Sequence, residues 1–275
     1  MHSDLIHLRI FPLEQLVLHE ATEADRVSEL QKRIEHSGVL RNPPIVAFLQ
    51  GELFLVLDGA TRVTAFHRMR IPTIVAQVVQ YPSAQVHVQA WCHFLPEQSI
   101  ENLQRFATEL GLTPTEVPLP EAQQMIRKRA AIAYAVDHQG RALAFCCTLP
   151  LSSSLLMLRE LIHRYSNPQP FQRVAWEEAE ALLQHELQRE GTYVGFPSFT
   201  PEEIRSLALS GARFPAGITR HIIAGRLLRA DIPLAELQRP TSIAEKNRWL
   251  QQWWHERLHH HRLRYYPEPT FVCDD

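Results

Sequence analysis

The chain has 275 residues, enough for two domains of ordinary size, and 45% hydrophobic with 21% charged residues is a folded rather than a disordered balance. A net charge of −2 argues against a dedicated nucleic-acid binder, which usually carries a basic excess. No apolar run approaches the roughly 18 residues of a membrane span, Met1-His2-Ser3-Asp4 does not begin a signal peptide, and the four cysteines show no CxxC spacing, so a reduced cytoplasmic protein without a membrane partner is expected.

Residues 6–10 alternate like a short strand, and 13–18 form a second extended piece ending at His19-Glu20. A helix is predicted from Thr22, with Thr22 and Asp25 at capping-box spacing. Val27, Leu30 and Ile34 form its buried stripe, and Gly38 suits a left-handed residue after its end. Pro43-Pro44 bars further helix, and strands at 45–49 and 52–57 join at Gln50-Gly51. The Asp58-Gly59 turn then leads into a helix over 61–69, followed by a strand rich in β-branched residues at 73–79.

From about Pro96 the texture changes. A helix is predicted at 100–110, ending at Gly111, and 131–136 with 141–147 read as a hairpin around His138-Gln139-Gly140. Helices at 153–164 and 176–189 flank Asn167-Pro168-Gln169-Pro170. Another spans 201–210, capped by Thr200 with Glu203 three residues on, and a last one runs over 242–261. No internal repeat is present. The expected fold class is α+β with mixed sheets, divided into an N-terminal domain, 1–95, and a C-terminal α/β domain, 96–275.

The segment Asp58-Gly59-Ala60-Thr61-Arg62 carries the clearest chemistry. A glycine between strand and helix lets the backbone turn sharply and approach a ligand closely. The first-turn N–H groups of the new helix have no internal partners, and the helix dipole adds partial positive charge, so the turn attracts phosphate. Arg62 brings a fork suited to phosphate oxygens, and Asp58 is placed to hold Mg2+ or to cap the helix. A simple Asp-Gly turn with a surface arginine has the same spelling.

Residues 13–79 resemble the ParB/sulfiredoxin fold in the order of their elements: strand, helix ending in Gly38-Val39-Leu40, Pro-initiated strand, hairpin, D-G-x-x-R turn, helix, strand. Further features narrow the resemblance. Glu20 follows His19 at the end of an early strand, Trp91 and His93 lie just after the last strand of the first domain, and Thr219-Arg220-His221 sit in a Gly/Pro-rich approach to a helix. Together they resemble the ParB-fold free L-serine kinases, including the siderophore-cluster relatives that form O-phosphoserine, over about residues 1–235.

The resemblance implies a role for each residue. Glu20 is the catalytic glutamate, Asp58 to Arg62 (with Gly59, Ala60 and Thr61) hold ATP or ADP, and Trp91 lines the serine pocket. Thr219, Arg220 and His221 bind the amino acid. One departure is plain: relatives carry one or two histidines where this loop has Ala60 and Thr61.

The expected activity is a nucleotide-dependent kinase that converts free L-serine to O-phospho-L-serine, with Glu20 as general base and Asp58 as a second catalytic carboxylate. Loop N–H groups, Arg62 and Mg2+ would stabilise developing charge. The alternative is a ParB-like DNA-binding regulator using the loop as a nucleotide sensor. A sulfinic-acid reductase is disfavoured, since that chemistry needs a cysteine in the loop.

No zinc-protease site is expected, while a looser metal or haem contact by His255 and by His259 to His261 stays an open alternative. His255-Glu256-Arg257-Leu258-His259 spells the zinc-protease HExxH, but too little chain follows for a third ligand and a cleft. Residues 103–114 mimic the start of a helix-turn-helix, but Pro118 and Pro120 fall where a recognition helix should lie, and Arg127-Lys128-Arg129 reads as a solvated face. DNA is therefore not an expected partner.

Overall fold

The stretches 6–18, 45–58 and 73–79, each rich in apolar residues, supply the strands of one sheet. The computed structural model describes residues 6–147, 151–167, 171–175 and 190–266. Its first elements are β1 (His7–Pro12), β2 (Leu16–Leu18), α1 (Ala24–Ser37), β3 (Val39–Leu40), β4 (Ile45–Gln50), β5 (Leu53–Asp58), α2 (Ala60–Arg68) and β6 (Thr73–Val79). The sheet order is β1-β6-β4-β5-β2. β1 pairs with β6, and β4 with β5, antiparallel; β4–β6 and β2–β5 are parallel. The sheet is thus mixed, as the sequence implied.

Val27 and Ile34 of α1 and Val63 and Phe66 of α2 are buried in one core with Ile10, Phe11, Val46 and Val75. α1 ends where expected: Gly38 has φ +67° and its N–H donates to the Ile34 carbonyl. Its start differs. The N-cap is Glu23, with no side-chain cap, so Thr22 lies one residue before the position from which its hydroxyl could reach the first turn.

The chain continues through β7 (Val86–Leu95), α3 (Ile100–Glu109), β8 (Thr113–Glu116), α4 (Leu119–Arg127), β9 (Ala131–Asp137), β10 (Ala142–Cys146), α5 (Leu151–Ser166), β11 (Gln172–Ala175), β12 (Thr192–Gly195), α6 (Pro201–Leu209) and β13 (Thr219–Ile223). These strands form a second sheet in the order β11-β7-β12-β9-β10-β8, with β13 also on β7. The β9–β10 hairpin and the Thr200–Glu203 capping box at the start of α6 follow the sequence expectation. The helix expected at 176–189 lies outside the described residues.

Three expectations are changed or refined here. Trp91 and His93 do follow β6, but they lie in a strand of their own, β7, which belongs to the second sheet. Thr219-Arg220-His221 begins a strand, not a helix, because the segment pairs with β7, a partner distant in sequence. After α3 the chain runs into β8, which pairs antiparallel with β10, so the apparent helix-turn-helix is broken by a strand. A helix does follow, and its prolines do not prevent it. Pro118 is the N-cap of α4 and Pro120 lies in its first turn, where no backbone donor is missed.

The last segment contains β14 (Ile232–Pro233), α7 (Leu234–Gln238) and α8 (Ile243–His259). β14 pairs with β3, and α8 packs on β1. Asn247 accepts from the Ile10 N–H and donates to the Ile10 carbonyl, while the buried Lys246 ammonium donates to the Leu237 carbonyl and to Thr73 Oγ1. The chain accordingly divides into one unit of Met1–Leu18, Thr22–Val86 and Ile223–Asp275, and another of His19–Ala21 and His87–Ile222. This differs from the expected single cut after residue 95, because the C-terminal helix hydrogen-bonds the Ile10 backbone and buries Leu250 in the core of the first sheet. Among the described residues no helix is long and apolar enough to cross a membrane.

Candidate active site

Glu20 leaves β2 with its backbone locked on both sides. The Phe214 N–H donates to the His19 carbonyl, and the Ala21 N–H donates to the Phe214 carbonyl, both at 2.8 Å. Glu20 and Phe214 thereby form a parallel bridge. The side chain is locked as well. Glu20 Oε1 accepts from the Ile218 N–H at 3.2 Å, the Thr219 N–H at 3.0 Å and Thr219 Oγ1 at 2.8 Å. His19 Nε2 lies 3.0 Å from the same Thr219 hydroxyl. The His221 ring stands edge-on to the His19 ring, with centroids 5.1 Å apart.

Strand periodicity then sorts the Thr219-Arg220-His221 triplet. Thr219 and His221 are buried on one side of β13, and Arg220 points to the other. There its guanidinium lies over the Trp91 ring, 4.7 Å from the centroid, and Nη1 is 3.4 Å from Gln89 Oε1. The structure thus brings Glu20 together with Thr219, and Arg220 together with Trp91, as two sets.

His93, two residues beyond Trp91, is fully buried. Its Nε2–H donates to the Gly217 carbonyl at 2.8 Å, so Nδ1 accepts from the Tyr165 hydroxyl at 2.6 Å. The ring stacks on Phe171 at 3.8 Å. Burial, with Arg173 nearby, pushes its pKa down to about 3, and the Gly217 hydrogen bond only partly opposes this. His93 is therefore a neutral core residue that anchors the backbone leading into Thr219.

In the other unit, Gly59 sits at φ +98° as N-cap of α2. A Cβ there would come within 2.8 Å of Pro44 Cβ and 3.0 Å of Arg62 Nε, so only glycine fits the turn. Among the described residues no side chain caps the helix, and Asp58, which was one expected cap, does not. The first-turn N–H groups are therefore open to an anion. Thr61 lies inside the helix and does not cap it either.

Arg62 is turned back onto the loop. Its Nη1 donates to the Asn42 carbonyl at 2.6 Å and the Pro43 carbonyl at 2.9 Å, and its Nη2 to Asp58 Oδ2 at 2.5 Å. It pins the turn to the Pro43-Pro44 segment. A second guanidinium, from Arg226, lies 2.6 Å from the same Asp58 oxygen. Burial pushes the Asp58 carboxyl up, but Arg62 and Arg226 outweigh it, and the net shift is downward.

Arg226 is a residue that sequence reasoning missed. It is held by buried Gln77, which donates to the Gly225 carbonyl and accepts from the Leu227 N–H, each at 2.9 Å. No local spelling marks it; the signal is the tertiary contact. Among the described residues no three His, Cys, Asp or Glu side chains are grouped to hold a metal ion, and His255 and His259 lie exposed on α8.

No protein-family model matches the chain. It is 23% identical over 246 residues, 89% of each chain, to the ATP-dependent L-serine kinase SbnI of Staphylococcus aureus (strain NCTC 8325 / PS 47). Among solved structures, a C-terminally truncated SbnI from Staphylococcus aureus superposes with a TM-score of 0.73 at 22% identity, covering 92% of this chain and 97% of that one. A free serine kinase in complex with AMP superposes at 0.71 and 18% identity, covering 84% and 94%. The resemblance to the free L-serine kinases carried by Glu20, the Asp58–Arg62 turn and Thr219-Arg220-His221 therefore extends along most of the sequence and through the fold.

Proposed function

We propose that this protein phosphorylates the hydroxyl of free L-serine, using ATP or ADP as donor and giving O-phospho-L-serine. The observation that carries the reading is the open, uncapped first turn of α2 behind Gly59, with two guanidiniums gathered at Asp58. Such a turn presents N–H donors and positive potential to phosphate oxygens. The likeness to an L-serine kinase over 89% of the chain supports serine as acceptor and ATP as the first donor to try.

In this reading Glu20 accepts the hydroxyl proton as the serine oxygen forms its bond to the terminal phosphorus, while the bond from that phosphorus to the departing nucleotide breaks. Arg226 is the cation that faces the phosphates, and Arg62 keeps the turn in shape. Arg220 suits the serine carboxylate, with Trp91 as the flat wall beside it. Mg2+ would be carried chiefly by phosphate oxygens and water, as is usual for this ion. Among the described residues no cluster of carboxylates builds a cage for it, and Asp58 Oδ2 is engaged by two guanidiniums.

The test is incubation with Mg2+, ATP or ADP, and single amino acids, following O-phosphoserine. Glu20→Gln is expected to lose about 10²- to 10⁴-fold in kcat. Absence of product with either donor, or a Glu20→Gln variant as fast as wild type, refutes the reading.

A further inference from the structure

We infer that His19 is a positioning residue, acting on Glu20 through the Thr219 hydroxyl, and that Thr219 serves Glu20 rather than the amino-acid substrate. The inference rests on the kinase reading above. Thr219 has one hydroxyl proton, and at 2.8 Å it goes to Glu20 Oε1, which already acts as an acceptor for the Ile218 and Thr219 N–H groups. The Thr219 oxygen then has only lone pairs to offer His19 Nε2 at 3.0 Å, so Nε2 must carry the proton. The direction of the chain is fixed: His19 Nε2–H to Thr219 Oγ1–H to Glu20 Oε1.

The surroundings hold this order. His19 is 4% exposed and Thr219 7%, so water does not compete for the hydroxyl. The edges and faces of His221 and Phe214 confine the imidazole, with centroids at 5.1 and 6.3 Å. Two backbone N–H groups, from Ile218 and Thr219, converge on the same carboxylate oxygen. All three donors go to Oε1, which leaves Oε2 as the oxygen that receives the serine proton. A base held this way needs no reorganisation when the hydroxyl arrives, whereas a freely rotating glutamate would.

Thr219→Val keeps the shape and removes the hydroxyl; Thr219→Ser restores it. His19→Leu removes the donor; His19→Gln places an amide N–H near the Nε2 position. Steady-state kinetics with serine varied should show Thr219→Val and His19→Leu each losing about 10- to 100-fold in kcat, with KM for serine within about twofold of wild type. Thr219→Ser and His19→Gln should keep most of the rate. The double variant His19→Leu/Thr219→Val should be no slower than Thr219→Val alone, since both cut one chain.

A rise in serine KM at unchanged kcat in Thr219→Val would show that the hydroxyl grips serine, and would overturn the inference. So would His19→Leu and His19→Gln with equal rates, or additive losses in the double variant. These outcomes leave wild-type turnover intact; a wild type that makes no O-phosphoserine instead overturns the kinase reading and the inference together.

Discussion

Lowering the pH from 7 to 5 should weaken the fold through His93 specifically. In the folded protein burial holds the His93 pKa down from 6.5 to about 3. The imidazole is fully buried, donates to Gly217 and accepts from Tyr165, so the neutral form is the one the structure accommodates. Below pH 6.5 the unfolded chain takes up a proton at this residue and the folded chain does not. The contribution is therefore complete above the unfolded value and is lost progressively as pH falls towards the folded one. Between the two values the slope is about 1.4 kcal/mol per pH unit, which gives a loss of about 2 kcal/mol between pH 7 and pH 5 and a ceiling of about 5 kcal/mol near pH 3. Urea unfolding of wild type and His93→Gln at pH 7, 6 and 5, at constant ionic strength, isolates the effect, because contributions from carboxylates cancel in the difference. His93→Gln will be less stable at pH 7 but should show a flatter pH dependence, by about 2 kcal/mol over that range. Parallel curves for the two proteins would refute the assignment of His93 as a neutral anchor.

The Asp58–Arg62 turn gives two further expectations. Gly59→Ala should lower stability by about 1–3 kcal/mol and weaken nucleotide binding, because the new Cβ meets Pro44 at 2.8 Å in a left-handed backbone; an unchanged melting temperature and Kd would contradict this. Arg226→Ala should weaken nucleotide binding about tenfold in calorimetry while leaving the melting temperature near wild type, whereas Arg62→Ala should lower the melting temperature because the Asn42 and Pro43 carbonyls lose their donor. Equal effects of the two substitutions on stability would show that the arginines do not divide the work as described.

Features set by neighbouring residues were legible in the sequence. The Asp58-Gly59 turn, the left-handed end of α1 at Gly38, the β9–β10 hairpin and the Thr200–Glu203 cap all depend on backbone preferences within a few positions. Even there a short-range rule misled where two starts compete: the Thr22–Asp25 spacing fits a capping box, yet α1 begins at Ala24. The prolines near α4 misled in another way, since their effect depends on whether they fall in the first turn or beyond it.

By itself, then, the sequence determined that residue 59 must be a glycine in a strand-to-helix turn, that its helix would offer open N–H groups, and that Glu20 closely follows an early strand. Only the tertiary structure decided what those groups meet. Arg62 folds back onto the Asn42 and Pro43 carbonyls and Arg226 comes to Asp58 from the far end of the chain. Pairing with β7 turns Thr219-Arg220-His221 into a strand, which sends Thr219 to Glu20 and Arg220 to Trp91. The physical reason is the range of the forces involved. Turn and cap geometry is settled by sterics within a few residues, whereas strand pairing and the burial of α8 on β1 are chosen by contacts between segments that the chain brings together only when it folds.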